Sequence, residues 1–328
     1  MAESKVQFSV LTPTWNRASL LLRVFDGLLA QTYRNFEWIV ADDGSADETE
    51  QVVRSLAEQA DFMVTYVRAD QHVGKIRMDN EAIGRARGAL ILWCDSDDWF
   101  LPKTLQCLSD AWLALSRQQR HEYAGLTALA ASEQGCIVNP FVDDTPMDVG
   151  WNALSEQYDM NCDMLFCTRA DLLKTHPFPE VDLVIPESVV WSAIGHQPTV
   201  CIPEVLLMKE YRTPNAISFS GEMAYNRGRA YALAISVRNL RAYPREWKVR
   251  FWRIMSFIRY GLHGEIPVSR MRSLWGDNSS SLAYWICFFP AYFLSVKDLL
   301  QGKVRKTHRE FLAVQKKAKI TVEIFNQV

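Results

Sequence analysis

Leu92-Trp93-Cys94-Asp95-Ser96-Asp97-Asp98-Trp99 is the stretch whose reading decides the fold. It continues the apolar run Ala89-Leu90-Ile91-Leu92-Trp93. A short unbroken apolar run reads as a strand buried on both faces, as in parallel sheets. Three carboxylates follow directly. Acids at the end of a buried strand face a crevice, and anions held that close to one another require a cation. Oxygen ligands without neighbouring His or Cys suit Mg²⁺ or Mn²⁺ better than Zn²⁺. Such a cation commonly holds a diphosphate, so the stretch points to nucleotide chemistry.

Working outward, the same pattern repeats upstream. Val6–Leu11 is apolar and β-prone and runs into Thr12-Pro13-Thr14; Phe36–Ala41 runs into Asp42-Asp43-Gly44-Ser45; Phe62–Val67 reads as a third strand. Between them lie amphipathic stretches at helical spacing: Ser19–Ala30, a helix after Asp47 with Val52, Val53 and Leu56 on one face, and Arg77–Arg87 with Ala82, Ile83 and Ala86 inward. Asp47 is placed to cap the second of these. A helix started by Pro102 follows the fourth strand, with Leu105, Leu108, Trp112 and Leu115 on one side. Strands alternating with helices predict an α/β fold with a mostly parallel sheet and right-handed crossovers. In such sheets ligands bind at the carboxyl ends of the strands, so three polar strand ends become one candidate site.

Composition supports a globular protein: 328 residues, 48% hydrophobic and 23% charged. The net charge of −2 conceals an asymmetry. Residues 1–221 hold 17 Lys+Arg against 31 Asp+Glu, a net of −14, and residues 222–328 hold 19 against 7, a net of +12. Seven cysteines without paired spacing read as buried, reduced thiols, and the N-terminus enters a strand at once with no signal-peptide pattern. No uncharged segment reaches the ~20 residues of a spanning helix. The nearest, Ser279–Val296, is broken by Pro290. These features together predict a cytoplasmic protein. A Walker A sequence, a G-x-G-x-x-G after the first strand, H-E-x-x-H and G-x-S-x-G are all absent, which weighs against ATPase, dinucleotide, zinc-protease and hydrolase chemistry.

The ordered motifs Thr12-Pro13-Thr14-Trp15-Asn16-Arg17, Gln31-Thr32-Tyr33, Asp42-Asp43-Gly44-Ser45-Ala46-Asp47-Glu48-Thr49, Asn80 and Asp95-Ser96-Asp97-Asp98 closely resemble glycosyltransferase family 2 over residues 6–115. The resemblance implies the GT-A fold, a Rossmann-like sheet flanked by helices. It also implies inverting, metal-dependent transfer of a hexose-type sugar from a nucleotide-diphosphate donor, UDP-linked in many members, to a saccharide or lipid-linked acceptor in bacterial surface polysaccharide synthesis. By that analogy Thr12 and Pro13 line the base pocket, and Asp42 accepts from the base. Lys75, in the loop after Gly74, or Arg77 meets the diphosphate, and Asp95 touches the ribose or metal region. Asp97 ligates Mn²⁺ or Mg²⁺ through the D-x-D motif, with Asp98 as a further candidate ligand. Ile76-Arg77-Met78-Asp79-Asn80 departs from the Ala-Arg-Asn frequent in the family, which leaves the phosphate-contacting cation open between Lys75 and Arg77.

The chemistry also needs a general base. In the family this is an acid well after D-x-D, and Pro186-Glu187-Ser188-Val189-Val190-Trp191 fits, with Asp182 as the alternative. Tyr211-Arg212 resembles a later family motif, so Arg212 is a further diphosphate candidate.

The expected organisation is a catalytic domain over 1–221, with a nucleotide-binding half at about 1–115 and an acceptor half at about 116–221, then a helical, aromatic and basic region over 222–328. Arg and Lys interleaved with Trp and Phe in that region suit peripheral binding at the cytoplasmic face of an anionic membrane. No nucleic-acid recognition motif accompanies the positive charge. A sugar-nucleotide nucleotidyltransferase would instead carry a Gly-rich, basic loop after the first strand, and a non-catalytic scaffold would not need the acids at 42, 95, 97 and 187.

Overall fold

The computed structural model describes residues 6–132, 148–151, 163–181, 185–210, 223–239, 247–275, 281–301 and 318–326. The chain divides into two compact units: residues 1–178, 194–214 and 315–328 form the first, and residues 179–193 and 215–314 the second.

The first unit is built on one sheet. Its parallel centre comprises β1 (Phe8–Thr14), β2 (Phe36–Asp42), β3 (Met63–Ala69) and β4 (Leu90–Trp93), in the order β3-β2-β1-β4. Crossovers run through α1 (Leu21–Leu29), α2 (Thr49–Gln59) and α3 (Lys75–Arg85). Every residue of β1 and β2 is buried, as in strands covered on both faces, and the polar pair inside them, Ser9 and Glu37, is satisfied by a hydrogen bond from the Ser9 hydroxyl to the Glu37 carboxylate at 2.5 Å. Trp38, Phe8, Leu28, Val64 and Leu90 anchor the core between sheet and helices. Helix α4 (Thr104–Ala114) adds Leu105, Leu108 and Trp112 to it, and α5 (Arg117–Glu122) follows behind a Ser116/Gln119 capping box.

Beyond β4 the sheet turns mixed. β5 (Trp99–Phe100), β6 (Gly125–Ser132), β7 (Asp148–Gly150), β8 (Met164–Arg169) and β9 (Pro198–Lys209) continue it, with β8 antiparallel to both β4 and β6. Short α6 (Ala170–Thr175) follows β8.

Two boundaries depart from expectation. Helix α3 begins at Lys75 rather than Arg77, and Gly74 stands before it at φ +97°, a conformation that favours glycine. Lys75 is therefore the first residue of a helix, not a loop residue. The tail is not wholly helical: β10 (Ile320–Phe325) pairs antiparallel with the edge strand β3, and Glu323 reaches Arg54 at 2.6 Å. The alternation Ile320, Val322, Ile324 carries that signal in the sequence.

The second unit holds α7 (Ser188–Ile194, up to residue 193), α8 (Met223–Asn239), α9 (Trp247–His263), α10 (Val268–Trp275) and α11 (Ser281–Leu300). Helix α9 packs on both α8 and α11 around Ala234, Ile254, Phe257, Ile258, Trp275, Tyr284 and Ala291. At the edge of this core the part-exposed Arg259 pairs with the buried Asp298, joining α9 to α11.

Among the described residues, Cys94, Cys107, Cys167, Cys201 and Cys287 are free thiols. Burial pushes each of them up, Cys201 to about 12, which keeps them protonated and inert. No helix of the described residues is long and apolar enough to cross a membrane.

Candidate active site

The chain passes from β1 outward to β2 and β3, then returns to β4 on the other side of β1. That reversal opens a crevice at the carboxyl ends of β1 and β4. Register draws the motifs together there: Thr14 lies opposite Asp42 on β2, Leu11 opposite Trp93 on β4, and the Cys94 amide donates to the Leu11 carbonyl at 2.9 Å.

At the β1 end the Thr12 hydroxyl accepts from Trp38 Nε1 at 2.9 Å inside the core. The Thr12 side chain is thereby committed to the core, and Pro13 beside it is buried in β1. Asn16 adopts φ +52°, its amide donates to Ser45 Oγ at 2.8 Å, and its side-chain oxygen accepts from the Ala46 amide at 2.8 Å. These bonds lock the turn after β1 to the turn after β2.

Asp42, the last residue of β2, and Asp43 after it are both buried and have different tasks. Asp42 accepts from the Ser45 amide at 2.9 Å and from the Tyr66 hydroxyl, with Arg68 Nε at 3.7 Å. Burial, together with the charge of Asp42, pushes the Tyr66 hydroxyl up and keeps it a donor. Each carboxylate oxygen of Asp42 thus accepts one of these hydrogen bonds, Oδ1 from the Ser45 amide and Oδ2 from Tyr66. Asp43 is the loop-builder: it takes the amides of Val73 at 2.6 Å and Gly74 at 3.0 Å, and His72 Nδ1 at 3.0 Å. The Asp43 carboxylate raises the His72 imidazole above its ordinary value, against the opposing effect of burial. His72 stacks on the exposed Trp15 at 4.5 Å between ring centres. Gly44, at φ +72°, lets this packing close, since a Cβ there would stand 2.3 Å from the Gln71 carbonyl carbon.

At the β4 end each acid has its own cation. Arg17 donates to Asp97 Oδ2 at 3.0 Å and to Ser96 Oγ at 3.2 Å. Arg23 donates to the Asp97 carbonyl at 2.6 Å and lies 4.1 Å over the Trp99 ring. Lys75 sits 3.1 Å from Asp79 and 3.8 Å from Asp95. Asp79 also accepts from Trp93 Nε1 at 3.0 Å. Lys209, at the end of β9, reaches Asp98 at 3.2 Å.

Burial and charge separate the three acids. Burial raises Asp95, but Lys75, Lys209 and Arg17 outweigh it and hold that carboxyl below its usual range. Asp98 is 3% exposed, and burial, aided by the charges of Asp95 and Asp97, pushes it up to about 7 against the pull of Lys209. Burial alone would lower the Lys209 ammonium; Asp98, Asp95 and Asp163 reverse that and hold it above its ordinary value.

Among the described residues no three His, Cys, Asp or Glu side chains are grouped to hold a metal by themselves. A Mg²⁺-like ion does not require such a cage, since it takes one or two carboxylates together with waters and phosphate oxygens. Asp95 Oδ1 fits that donor set: it is buried and has no hydrogen-bond partner. Asp97 lies in the same loop. Asp98 does not share this opening, because its carboxyl turns inward to Lys209.

The remaining sequence-named residues fall out as follows. Lys75 is at the acids, whereas Arg77 donates to the Val73 carbonyl at 3.0 Å and braces the loop before its own helix. Asn80 clamps the Phe178 backbone with two 2.9 Å bonds, one donated and one accepted. In the second unit Glu187 is half-buried just before α7, its carbonyl accepting from the Val190 amide at 3.0 Å. Asp182 and Arg212 lie outside the described residues. Sequence reading assigned no role to Arg17, Asp43 or Lys209. The signal for the cations was the requirement itself, that three clustered acids need partners, but those partners stand far away along the chain.

Comparison with known proteins bears on the fold that carries these residues. Residues 9–116 match the family described as Glycosyl transferase family 2. A Campylobacter jejuni GalNAc(5)-diNAcBac-PP-undecaprenol beta-1,3-glucosyltransferase is 30% identical over 102 residues, 31% of this chain and 33% of that one. A Staphylococcus aureus poly(ribitol-phosphate) beta-N-acetylglucosaminyltransferase, TarS, is 30% identical over 103 residues, 31% of this chain and 18% of its own. The chain thus spans about a third or less of the length of the curated relatives it matches. Among solved structures, S. aureus TarS 1–349 in complex with UDP-GlcNAc covers 93% of both chains at a TM-score of 0.62 and 17% identity. At that identity the likeness establishes the fold, which is GT-A with a helical C-terminal region.

Proposed function

We propose that the chain, whose residues 9–116 match the glycosyl transferase family 2 model, is an inverting glycosyltransferase. It moves a sugar from a nucleotide-diphosphate donor, UDP-linked by analogy with the TarS complex, to a hydroxyl of a saccharide or lipid-linked acceptor in bacterial surface glycoconjugate synthesis. The observation that carries this reading is the convergence of the β1, β2 and β4 ends on one crevice, with Arg17, Lys75 and Lys209 facing Asp97, Asp95 and Asp98.

The residues divide the work. The Thr12 backbone, the Pro13 ring and Asp42 receive the base and hold it against the β1–β2 turn. Asp97 and Asp95 hold Mn²⁺ or Mg²⁺, which when bound stabilises the charge on the departing diphosphate. Arg17 and Lys75 are already at the acids. When the donor enters they exchange part of their carboxylate contact for phosphate, where guanidinium and ammonium are both effective partners. Asp98 and Lys209 remain paired and hold the loop. Glu187 takes the proton of the acceptor hydroxyl as that oxygen attacks the anomeric carbon from the face opposite the leaving diphosphate. A lipid-linked acceptor would bring the enzyme to the cytoplasmic face of a membrane.

The test is release of nucleoside diphosphate from a panel of nucleotide sugars, with and without Mn²⁺. Wild type is expected to turn over at least one of them in a metal-dependent way, and folded Asp97→Ala to lose that turnover by about 100-fold or more. Full activity of the variant would remove Asp97 from the metal site.

A further inference from the structure

Helix α11 has two apolar faces, and only one belongs to a core. Tyr284, Cys287 and Ala291 are buried with Phe257 and Trp275, and Asp298 is tied to Arg259. On the other face Trp285, Ile286, Phe289, Tyr292, Phe293 and Leu300 are exposed, Phe289 at 63%, Phe293 at 70% and Leu300 at 83%. Their three- and four-residue spacing makes one stripe, about 22 Å long at the helical rise. A soluble monomer rarely leaves so continuous an apolar surface in water.

Three observations identify what covers it. No charged residue occurs from Ser281 to Val296, and the one exposed charge the stripe meets, Lys297 near its C-terminal end, sits on a stem long enough to reach anionic headgroups. The stripe is rich in Trp, Tyr and Phe, and Trp and Tyr are the residues favoured where hydrocarbon meets headgroups. Beyond Lys297, residues 303–319 hold seven Lys+Arg and one Glu, a charge that complements an anionic surface. The helix cannot span: its inner face is committed to α9, and it is not long and apolar enough to cross. A second copy is the poorer occupant, because self-association would bring together two regions that each carry a net charge of +12.

We propose that the outward face of α11 lies in the headgroup–acyl boundary of an anionic phospholipid bilayer, in the plane of the membrane. The proposal rests on this surface and on the basic sequence after it, and it narrows the expected membrane contact of residues 222–328 to one helix face.

The test is flotation of the full 328-residue chain with vesicles of phosphatidylcholine alone and of phosphatidylcholine with phosphatidylglycerol. Wild type should float with the anionic vesicles and stay largely behind with the zwitterionic ones. The Phe289→Ser/Phe293→Ser variant should lose about tenfold or more of the vesicle-bound fraction while keeping its melting temperature. If that variant unfolds, Phe293→Glu, one charge at a 70% exposed position, serves in its place. Unchanged flotation of the folded variant would overturn the proposal. So would a wild type that ignores both vesicles but sediments as a dimer that the variant breaks. Nucleotide-sugar turnover by the same variant, measured without vesicles, should match wild type, so a failure here is distinguishable from a failure of the transferase reading.

Discussion

In the first unit, β1 and β2 are buried from end to end and the polar chemistry is confined to the strand ends. In the second unit, α11 is apolar on both sides, and its chemistry is a surface. The first unit deals with charge by pairing each acid of the crevice with a cation brought from another element. The second unit deals with apolar area by burying half of it and leaving the other half to a different medium. The difference shows that a given residue type carries little meaning until its partners are known. A phenylalanine is core at 257 and exposed at 289, and an aspartate pairs with Arg17 at 97 and, buried, with Lys209 at 98.

The largest expected effect is on catalysis. Glu187→Gln should lower kcat by about 100-fold or more while nucleotide-sugar affinity stays within about twofold, because the amide keeps the shape but cannot take a proton. An unchanged kcat, measured from steady-state release of nucleoside diphosphate, would move the base elsewhere, Asp182 first.

A contrast within one residue type sharpens the comparison of surfaces. Phe257→Ala, fully buried between α9 and α10, should cost about 3–5 kcal/mol in denaturant unfolding. Phe289→Ala, on the exposed stripe, should change stability by no more than about 0.5 kcal/mol in the absence of lipid. Equal losses would mean that the outer face of α11 is covered by protein.

The smallest effect concerns the His72–Asp43 pair in the first unit. Its imidazole is raised in the folded state, so the stabilisation is fully present below the unfolded value of about 6.5 and is lost as pH rises through the folded value. His72→Asn should flatten the melting-temperature profile over that window. A profile identical to wild type would show that the pair contributes nothing.

Much of the first unit was legible because its signals are local. The apolar stretches at 38–41 and 89–93 mark buried strands, and Asp-Asp-Gly and Asp-x-Asp mark their ends. What was not legible depends on distant contacts. Arg17 and Asp97 are 80 residues apart, and Asn80 reaches Phe178 across 98. Helix α3 starts at Lys75 because Asp43 captures the Val73 and Gly74 amides from 30 and 31 residues away. That long-range bond makes the first helical residue of a lysine that reads locally as part of a loop. In α11 the helical period is blurred by apolar residues on both sides, so the sequence does not say which rings are buried. β10 carried a period-two signal, but its partner β3 lies some 250 residues earlier in the chain.

The most direct measurement is the melting temperature of the full chain with UDP-sugars and other nucleotide sugars, with and without Mn²⁺, for wild type and Asp97→Ala. Donor binding at the β1, β2 and β4 ends predicts a metal-dependent upward shift in wild type, because a ligand of the native state stabilises it, and a much smaller shift in the variant. No shift with any nucleotide sugar, or the same shift in both proteins, would contradict a donor site at that crevice.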